Sequence, residues 1–418
     1  MRTQVGIVGA GPAGLMLSHL LHLAGIESVI IDARSREYCE HRVRAGLIEQ
    51  WVVDLLLETG VGARMKKEAL FHDGIYFSYS DGLHHIDFRK SVARGVAVYG
   101  QQEIVKDLIA HRLSDRGTIL FEATAVKLEG IESGKPKIHF EHGGKADVIE
   151  CDFIAGCDGF HGISRPALPE RVARHYDRVY PFGWLGILAE AKPVADELIY
   201  AYHERGFALF SMRSESIVRY YLQCAPDENL ALWPDGKIWA ELKTRLGGEA
   251  GERLVSGKIL EKGVTAMRSF VCEPMQHGQL FLAGDSAHIV PPTGAKGMNL
   301  ALADVCVLAR AFADFYRKRR RERLEHYSAT CLPRIWKAQR FSWWMTQMLH
   351  RFNFEQDFDM RRQLAEIDYV VNSAAARTSL AENYTGLPME SVWRRGIAWH
   401  RRLRLLRTLW PRMGRRRH

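Results

Sequence analysis

The chain has 418 residues, 47% of them hydrophobic, so it is long enough for one or two domains with a large core and is not disordered by composition. It contains no uncharged apolar run of about 18 residues, and an apolar strand begins almost at its first residue, so we expect neither a membrane span nor a signal peptide. The seven cysteines form no Cys-x-x-Cys pair, which favours free thiols in a cytoplasmic protein and indicates no metal site.

The net charge of +9 comes from one end of the chain. Residues 393–418, the basic tail, hold ten arginines and no aspartate, glutamate or lysine, so the rest of the chain carries a net charge of −1. Within the tail, Trp399, Leu403, Leu406 and Trp410 have helical spacing. A helix that binds an anionic membrane, a nucleic-acid contact and a solvated extension all remain open interpretations.

The first two predicted strands enclose a glycine-rich turn. An apolar strand at 5–8 is followed by three glycines with the spacing Gly-x-Gly-x-x-Gly: Gly9, Gly11 and Gly14. A helix is predicted at 15–24 and a second strand at 28–31, which ends in Asp32, 18 residues past Gly14. Such glycines let the backbone approach a pyrophosphate at the helix N-terminus, and the acid can bind a ribose hydroxyl. The pattern predicts an adenine dinucleotide and does not choose between FAD and NAD.

Further along the chain, apolar patterns predict helices and strands in separate blocks. Helices are predicted at 47–58, 101–112, 327–344 and 361–375, with one or two more between 239 and 254. Strands are predicted in a hairpin at 74–96, at 118–158 and, most densely, at 184–189, 198–202, 207–211 and 217–223. This order indicates that a sheet-rich domain interrupts the dinucleotide-binding one.

Two later strands also run into glycine and aspartate. One, at 152–156, leads to Asp158, and the other, at 280–283, leads to Asp285. A rigid double-proline loop follows Asp285, and helical spacing begins at Asn299. The helix N-terminus behind this loop can stabilise negative charge.

Together these motifs resemble those of the flavoprotein aromatic hydroxylases of class A, most closely the members that act on 4-hydroxybenzoate. The resemblance covers residues 1 to about 392 and includes long specific runs at 42–46, 99–101, 157–162, 180–186 and 280–304. It favours FAD over NAD as the tightly bound dinucleotide. The basic tail lies outside the family pattern.

The resemblance implies an α/β (α+β) fold with a Rossmann-like FAD-binding domain, an inserted sheet-rich substrate domain and a C-terminal helical region. The FAD-binding domain would be discontinuous, at 1–73, 97–178 and 268–350, and the substrate domain would occupy 74–96 and 179–267. A helical interface region would follow at 351–392, before the tail at 393–418. The family also implies a homodimer.

The activity that the resemblance implies is hydroxylation of 4-hydroxybenzoate to 3,4-dihydroxybenzoate with NADPH and O₂, through a flavin C4a-hydroperoxide. NADPH is preferred to NADH because residues 33–44 carry a net positive charge that suits a 2′-phosphate. Two alternatives remain open. One is the same chemistry on a different substituted benzoate, and the other is a non-catalytic flavin-bearing adaptor that uses the arginine-rich tail.

Site residues follow from matching positions in the family. Three residues would hold the substrate carboxylate: Ser211, Arg213 and Tyr221. Around the reactive hydroxyl, Tyr200 would accept a proton, Tyr384 would pass it on and His72 would meet solvent. The Pro292 carbonyl would stabilise that hydroxyl, and Thr293 would border the flavin.

Cofactor residues follow in the same way. For FAD they are the three glycines, Asp32, Arg44 at the pyrophosphate, Gln101 and Asp285 at the ribityl chain, Asp158, Asn299 at the flavin ring, and Lys296, which would lend positive field to the reduced flavin. For the pyridine nucleotide they are Tyr38, Arg42, His161 and Arg268.

Overall fold

A computed structural model describes residues 1–42, 44, 46–352 and 356–388. Its helices are α1 (Pro12–Leu23), α2 (Arg36–His41), α3 (Gln50–Glu58), α4 (Met65–Glu68), α5 (Phe88–Val92), α6 (Gln101–Ser114), α7 (Asp235–Leu246), α8 (Gly248–Arg253), α9 (Gly297–Lys318), α10 (Glu322–Glu325), α11 (Tyr327–Leu349), α12 (Asp357–Asn372) and α13 (Ala374–Thr385). The basic tail, residues 389–392, and two residues of the run 42–46 lie outside the described residues.

The strands are β1 (Val5–Val8), β2 (Ser28–Ile31), β3 (Leu47–Glu49), β4 (Leu70–His72), β5 (Gly74–Tyr79), β6 (Gly82–Asp87), β7 (Val96–Val98), β8 (Thr118–Leu120), β9 (Ala123–Glu129), β10 (Lys137–His142), β11 (Lys145–Glu150), β12 (Phe153–Gly156), β13 (Arg174–Glu190), β14 (Ile199–Ala201), β15 (Ala208–Met212), β16 (Ile217–Cys224), β17 (Lys258–Glu273), β18 (Gln276–His277), β19 (Leu280–Leu282) and β20 (His288–Ile289). With the helices they confirm the mixed α/β fold class expected from the sequence.

A six-stranded sheet in the order β18-β19-β12-β1-β2-β8 carries the dinucleotide motifs. Strands β19, β12, β1 and β2 run parallel to one another, so their carboxyl ends meet at one edge. The residues of β1 and β12 are all buried, as expected for the centre of a parallel sheet covered on both faces. Ligands of open α/β sheets bind at such an edge.

An eight-stranded sheet in the order β20-β17-β13-β16-β15-β14-β5-β6 forms the second layer. Its two long strands, β13 and β17, pair antiparallel from Arg174 opposite Glu273 to Glu190 opposite Lys258. Helices α7 and α8 pack an apolar cluster against this sheet, and a second cluster joins its other strands to α11, α12 and α13. The sheet is therefore enclosed between two helical layers.

Two predicted helices differ from the structure. The helix predicted at 47–58 begins only at Gln50, because residues 47–49 pair as strand β3 with β7. The helix predicted at 361–375 is α12, and a separate helix, α13, follows it. Ser373 caps α13, since its side chain accepts a hydrogen bond from the Ala376 N–H.

Two expectations about the whole chain concern membranes and thiols. None of the helices in the described ranges is long and apolar enough to cross a membrane. All seven cysteines are described, and none of them forms a disulfide.

Candidate active site

The N-terminus of α1 forms one wall of the cleft at the edge of the six-stranded sheet. Gly14 lies so close to the preceding turn that an added Cβ would be 2.0 Å from the Gly9 carbonyl oxygen. An added Cβ at Gly11, by contrast, would meet no atom within 4 Å, so the helix N-terminus is open to a ligand. The Asp32 carboxylate accepts hydrogen bonds from the Ala10 N–H at 2.7 Å and the Arg34 N–H at 2.8 Å. A pyrophosphate therefore has space at Gly11, and Asp32 lies beside it.

Two further carboxylates lie at the same edge. One oxygen of Asp158 accepts from the Ser164 N–H at 2.9 Å, and its other oxygen is buried with no partner among the described residues. Burial raises the pKa of Asp158. It also raises the pKa of Asp285, although His288, Arg44 and Arg42 oppose the shift. Asp158 is partly exposed and Asp285 is exposed at the open edge of the sheet, so both can accept hydrogen bonds from ligand hydroxyls.

A buried ion pair supports the turn before Asp285. Asp304 on α9 accepts from the Gly284 N–H at 3.0 Å and contacts His288 Nε2 at 2.6 Å. Burial alone would lower the pKa of His288, but Asp304 raises it above its ordinary value. Sequence reasoning missed this pair. An aspartate within the apolar stretch of α9 was the available signal, because buried carboxylates require partners.

Lys296 and Asn299 at the start of α9 are occupied by partners. The buried Lys296 ammonium donates to Glu49 Oε1 at 2.6 Å and to the Tyr384 carbonyl at 2.9 Å. Burial lowers the pKa of Lys296, and Glu49 opposes the shift. Asn299 accepts from the Glu49 N–H at 3.0 Å and donates to the Leu47 carbonyl at 3.2 Å. Glu49, which the sequence did not indicate, therefore partly neutralises the positive field expected from Lys296.

Two buried tyrosines form the centre of the predicted relay. Their hydroxyl oxygens, Tyr200 Oη and Tyr384 Oη, are 2.7 Å apart. Tyr200 donates its proton to the Thr293 carbonyl at 3.2 Å, so Tyr384 is the donor within the tyrosine pair. Burial raises the pKa of both phenols, which keeps them protonated at neutral pH.

The third relay residue, His72, is not at the surface. It lies on β4, which pairs with β7, and only 2% of it is exposed, so it does not meet solvent as expected. Neither of its ring nitrogens has a partner among the described residues. Burial lowers the pKa of His72 to about 4, although Asp196 and Asp73 oppose the shift. The imidazole is therefore neutral at pH 7.

The loop at Pro292 is fixed by contacts of its own. The Pro292 carbonyl accepts from the Ala295 N–H at 2.9 Å within a turn. Thr293 supplies the carbonyl that Tyr200 contacts, and its side-chain oxygen lies 2.9 Å from that of Thr346 on α11. Thr346 belongs to the site and was not predicted, since a lone threonine in a helix gives no sequence signal.

The residues expected at the substrate carboxylate lie on and after β15 and β16. Arg213 donates from Nη2 to the Arg44 carbonyl at 3.2 Å, and its Nε has no partner among the described residues. None of the described carboxylates is within 4.0 Å of its guanidinium, and burial lowers its pKa. Tyr221 is the largest opposing influence on that pKa, so the two residues are neighbours. Ser211 is buried on β15 and contacts the Met212 carbonyl at 3.4 Å.

The residues expected at the pyridine nucleotide fall into two groups. Tyr38 is 42% exposed, and the guanidinium carbons of Arg34 and Arg42 lie 5.0 and 5.9 Å from its ring centroid. His161 and Arg268 both pack on Phe160 instead. Arg268 also pairs with Asp177 at 3.2 Å. Gln101, expected at the ribityl chain, is the first residue of α6.

The cleft fits FAD. The open helix N-terminus at Gly11 suits a pyrophosphate. A second open N-terminus at Gly297, where an added Cβ would also meet no atom within 4 Å, suits an electron-rich ring edge. The Asp158 oxygen that has no partner among the described residues suits a hydroxyl. Among the described residues, no group of three or more His, Cys, Asp or Glu side chains could hold a metal ion.

Comparisons with known proteins agree with this fit. Residues 2–342 match a family described as FAD binding domain. The p-hydroxybenzoate hydroxylase of Acinetobacter baylyi is 49% identical over 391 residues, which cover 93% of this chain and 96% of that protein. An FAD-dependent monooxygenase of Penicillium crustosum is 24% identical and covers 75% of this chain and 70% of its own length.

Solved structures show the same fold at lower identity. The p-nitrophenol 4-monooxygenase of Pseudomonas putida has a TM-score of 0.79 at 15% identity, covering 93% of this chain and all of that one. A probable FAD-dependent monooxygenase of Pseudomonas aeruginosa has a TM-score of 0.75 at 20% identity, covering 88% of this chain and all of that one. The chain therefore belongs to the FAD-binding flavoprotein aromatic hydroxylases.

Proposed function

We propose that this enzyme hydroxylates 4-hydroxybenzoate to 3,4-dihydroxybenzoate, with NADPH as the reductant and O₂ as the oxidant. One observation carries the proposal. Among the described residues, the partly buried guanidinium of Arg213 has no carboxylate partner, and a hydrogen-bonded phenol pair, Tyr200 and Tyr384, lies on the same side of the sheet system. An aromatic ring with a carboxylate at one end and a hydroxyl at the other matches these two groups. The 49% identical relative is a p-hydroxybenzoate hydroxylase, which supports this substrate.

The carboxylate end is proposed to be held by Arg213, Ser211 and Tyr221. A guanidinium can bind a carboxylate through two parallel N–H···O bonds, which orient the ring as well as hold it. The cost of burying the Arg213 charge is then offset by the substrate anion. Binding energy from this end positions the reacting carbon at the other end.

The hydroxyl end is proposed to lose its proton to Tyr200. Because Tyr200 has a raised pKa, it does not store the proton. Its hydroxyl is proposed to turn from the Thr293 carbonyl towards Tyr384 and to pass its own proton on, as Tyr384 releases the proton that it donates to Tyr200 at rest. His72 is neutral at pH 7 and its lowered pKa makes it a weak base, so it is proposed to carry the proton only in passing to groups nearer the solvent. The resulting phenolate is a far better nucleophile than the phenol. The carbonyls of Pro292 and Thr293 are proposed to orient the hydroxyl.

The flavin site is proposed to consist of Gly9, Gly11, Gly14, Asp32, Arg44, Gln101, Asp158, Asp285, Lys296 and Asn299. When bound, FAD supplies hydride acceptance and oxygen activation, which protein side chains cannot provide. The protein's part is to hold the ring of the substrate in place and exclude water. NADPH is proposed to contact Tyr38, Arg42, His161 and Arg268, with NADH as the weaker alternative.

The larger organisation is also proposed. The FAD-binding part would comprise 1–73, 97–178 and 268–350, and the substrate part 74–96 and 179–267. A homodimer through 351–392 and a cytoplasmic location would complete the similarity to the family. The basic tail could add a contact with an anionic membrane or a nucleic acid.

A panel assay tests the function. Purified protein is expected to be yellow, and 4-hydroxybenzoate is expected to accelerate NADPH oxidation at least tenfold, with 3,4-dihydroxybenzoate as the product. Other substituted benzoates and NADH serve as comparisons. If another substituted benzoate accelerates NADPH oxidation more strongly, that compound is the better candidate substrate. If no aromatic acid changes the rate of NADPH oxidation, the flavin-bearing adaptor is favoured.

A further inference from the structure

A buried histidine, His350, occupies the junction between the two ends of the proposed substrate site. It follows the last residue of α11 and is 0% exposed. We infer that His350 is a positioning residue, which fixes Trp184 behind the carboxylate-binding end through a hydrogen bond from the indole. The inference deepens the proposed function and rests on it.

The hydrogen bonds of His350 define its protonation state. The indole N–H of Trp184 points at His350 Nε2 at 2.7 Å. An indole nitrogen only donates, so Nε2 must be the acceptor and carries no proton. The proton of the neutral ring is therefore on Nδ1, which donates to the Thr346 carbonyl at 3.1 Å. Both ring nitrogens are satisfied in one tautomer only.

Neighbouring rings hold the imidazole in the orientation that this bond requires. Its plane is 7° from that of Trp184 and 10° from that of Phe182, with the Phe182 centroid 4.8 Å away. Phe207 closes another side at 4.4 Å. The His350 carbonyl accepts from the Gln363 side chain on α12 at 2.8 Å, so the backbone is fixed as well.

The histidine reaches the carboxylate end through Trp184. The Trp184 ring packs on Tyr221, with centroids 4.9 Å apart, and Tyr221 is a proposed carboxylate ligand. Trp184 and Tyr221 lie on neighbouring strands, β13 and β16, and no hydrogen bond from the described residues other than that of His350 reaches the indole nitrogen. Rotation of the indole would therefore leave a buried donor unsatisfied and release the ring against which Tyr221 packs.

The same turn of α11 also reaches the hydroxyl end. The Thr346 hydroxyl donates to the Ser342 carbonyl at 2.7 Å, so in its 2.9 Å contact with Thr293 it accepts. Thr293 in turn supplies the carbonyl that Tyr200 contacts. His350 and Thr346 thus connect one helix end to both ends of the proposed site. Because Thr346 contacts the Thr293 loop as well as His350, its substitution would disturb both ends of the site. The hydrogen bond from the Trp184 indole involves His350 alone.

The test separates this hydrogen bond from ordinary packing. His350→Phe keeps a flat ring and removes both hydrogen bonds, and His350→Gln keeps an oxygen able to accept from the indole. Each holoenzyme is titrated with 4-hydroxybenzoate by the change in flavin absorbance, and KM and kcat are measured. We expect His350→Phe to raise the Kd and KM about tenfold, with a smaller effect on kcat, because an unsatisfied buried donor is costly. His350→Gln is expected to restore Kd to within threefold of wild type.

His19→Phe is the matched control. His19 is also buried, and its Nε2 contacts the Thr59 carbonyl at 3.0 Å. It lies on α1, which packs on β1 and β2 of the six-stranded sheet and not on the eight-stranded sheet of the proposed substrate residues. Its substitution should lower the melting temperature without changing Kd. If His350→Phe fails to fold, Trp184→Phe removes the same hydrogen bond from the other side and should raise Kd to the same extent.

The outcomes are distinguishable. A wild-type enzyme that neither binds nor responds to 4-hydroxybenzoate overturns the proposed function and this inference with it. If the wild type responds to 4-hydroxybenzoate but His350→Phe binds it within twofold of the wild-type Kd, the inference alone is overturned. Where His350→Phe does not fold, the same result for Trp184→Phe overturns it. An equal loss of affinity in His19→Phe would also overturn it, because the effect would then be one of general stability.

Discussion

At the scale of single residues, Arg213 carries a charge that has no carboxylate partner among the described residues, and its Nε makes no hydrogen bond to them. Its side chain is partly buried, and burial lowers its pKa, so a substrate carboxylate would offset an existing cost. Arg213→Ala is expected to weaken 4-hydroxybenzoate binding by ~2–5 kcal/mol, as when a buried charge pair loses one member. The FAD content should not change. Affinity within twofold of wild type would show that the carboxylate is held elsewhere.

Tyr200 is the proposed acceptor of the proton from the substrate hydroxyl. Tyr200→Phe removes one oxygen from the pair with Tyr384, so folding and FAD binding should be retained. Flavin reduction by NADPH should continue, but the unactivated ring should react poorly, and H₂O₂ should replace product. The measurement is 3,4-dihydroxybenzoate formed per NADPH consumed, with H₂O₂ counted alongside. Coupling near the wild-type value would remove Tyr200 from the mechanism.

At the scale of an element, helix α9 does more than present its N-terminus. Through Asp304 it holds both the Gly284 N–H and His288, and so the turn that carries Asp285. Because the pKa of His288 is raised in the folded protein, its pairing contributes stability at pH values below its unfolded pKa of about 6.5. This contribution is lost as the pH rises through the raised value.

Asp304→Asn should remove that pH dependence. The variant keeps an oxygen for the Gly284 N–H but has no charge for His288, so it should lose about 1–3 kcal/mol of unfolding free energy at pH 6. The loss relative to wild type should shrink as the pH is raised. Denaturant unfolding at several pH values measures the loss of unfolding free energy and its pH dependence. FAD affinity independently tests whether the turn that carries Asp285 is preserved. If the unfolding free energies of the two proteins change with pH in the same way, the Asp304–His288 pair is not a charged pair.

At the scale of the whole molecule, charge and catalysis belong to different parts of the chain. The proposed catalytic residues end at Tyr384, and the ten arginines begin after Trp393. Truncation after Val392 should therefore leave turnover intact and lower the isoelectric point from about 9.2. Any binding to anionic vesicles or DNA at low salt should disappear in the truncated protein. If the full-length protein binds neither, the interpretation of the tail as a solvated extension holds.

Features that depend on local spacing were predictable from the amino-acid sequence. Gly9, Gly11 and Gly14 between a strand and a helix, with Asp32 at the next strand end, are enough to predict the dinucleotide edge, because each role is set by the backbone within one βαβ unit. The loop after Asp285 and the helix α9 follow from the same reasoning. Helices and strands were predictable along most of the chain. Strand β3 was missed because three residues are too few to show the alternation of apolar and polar residues that marks a strand.

Contacts between residues that are distant in the chain became known from the three-dimensional structure alone. Glu49 pairs with Lys296 from 247 residues away, and Trp184 with His350 from 166 away. Likewise, the burial of His72 depends on its pairing with β7. Such contacts arise when separate elements pack, and the hydrogen bond that a buried polar group then makes depends on distances of a few ångströms that no local pattern contains. For that reason the family resemblance could indicate Tyr200 and Tyr384 as relay residues, whereas only the fold showed that Tyr200 donates to the carbonyl of Thr293.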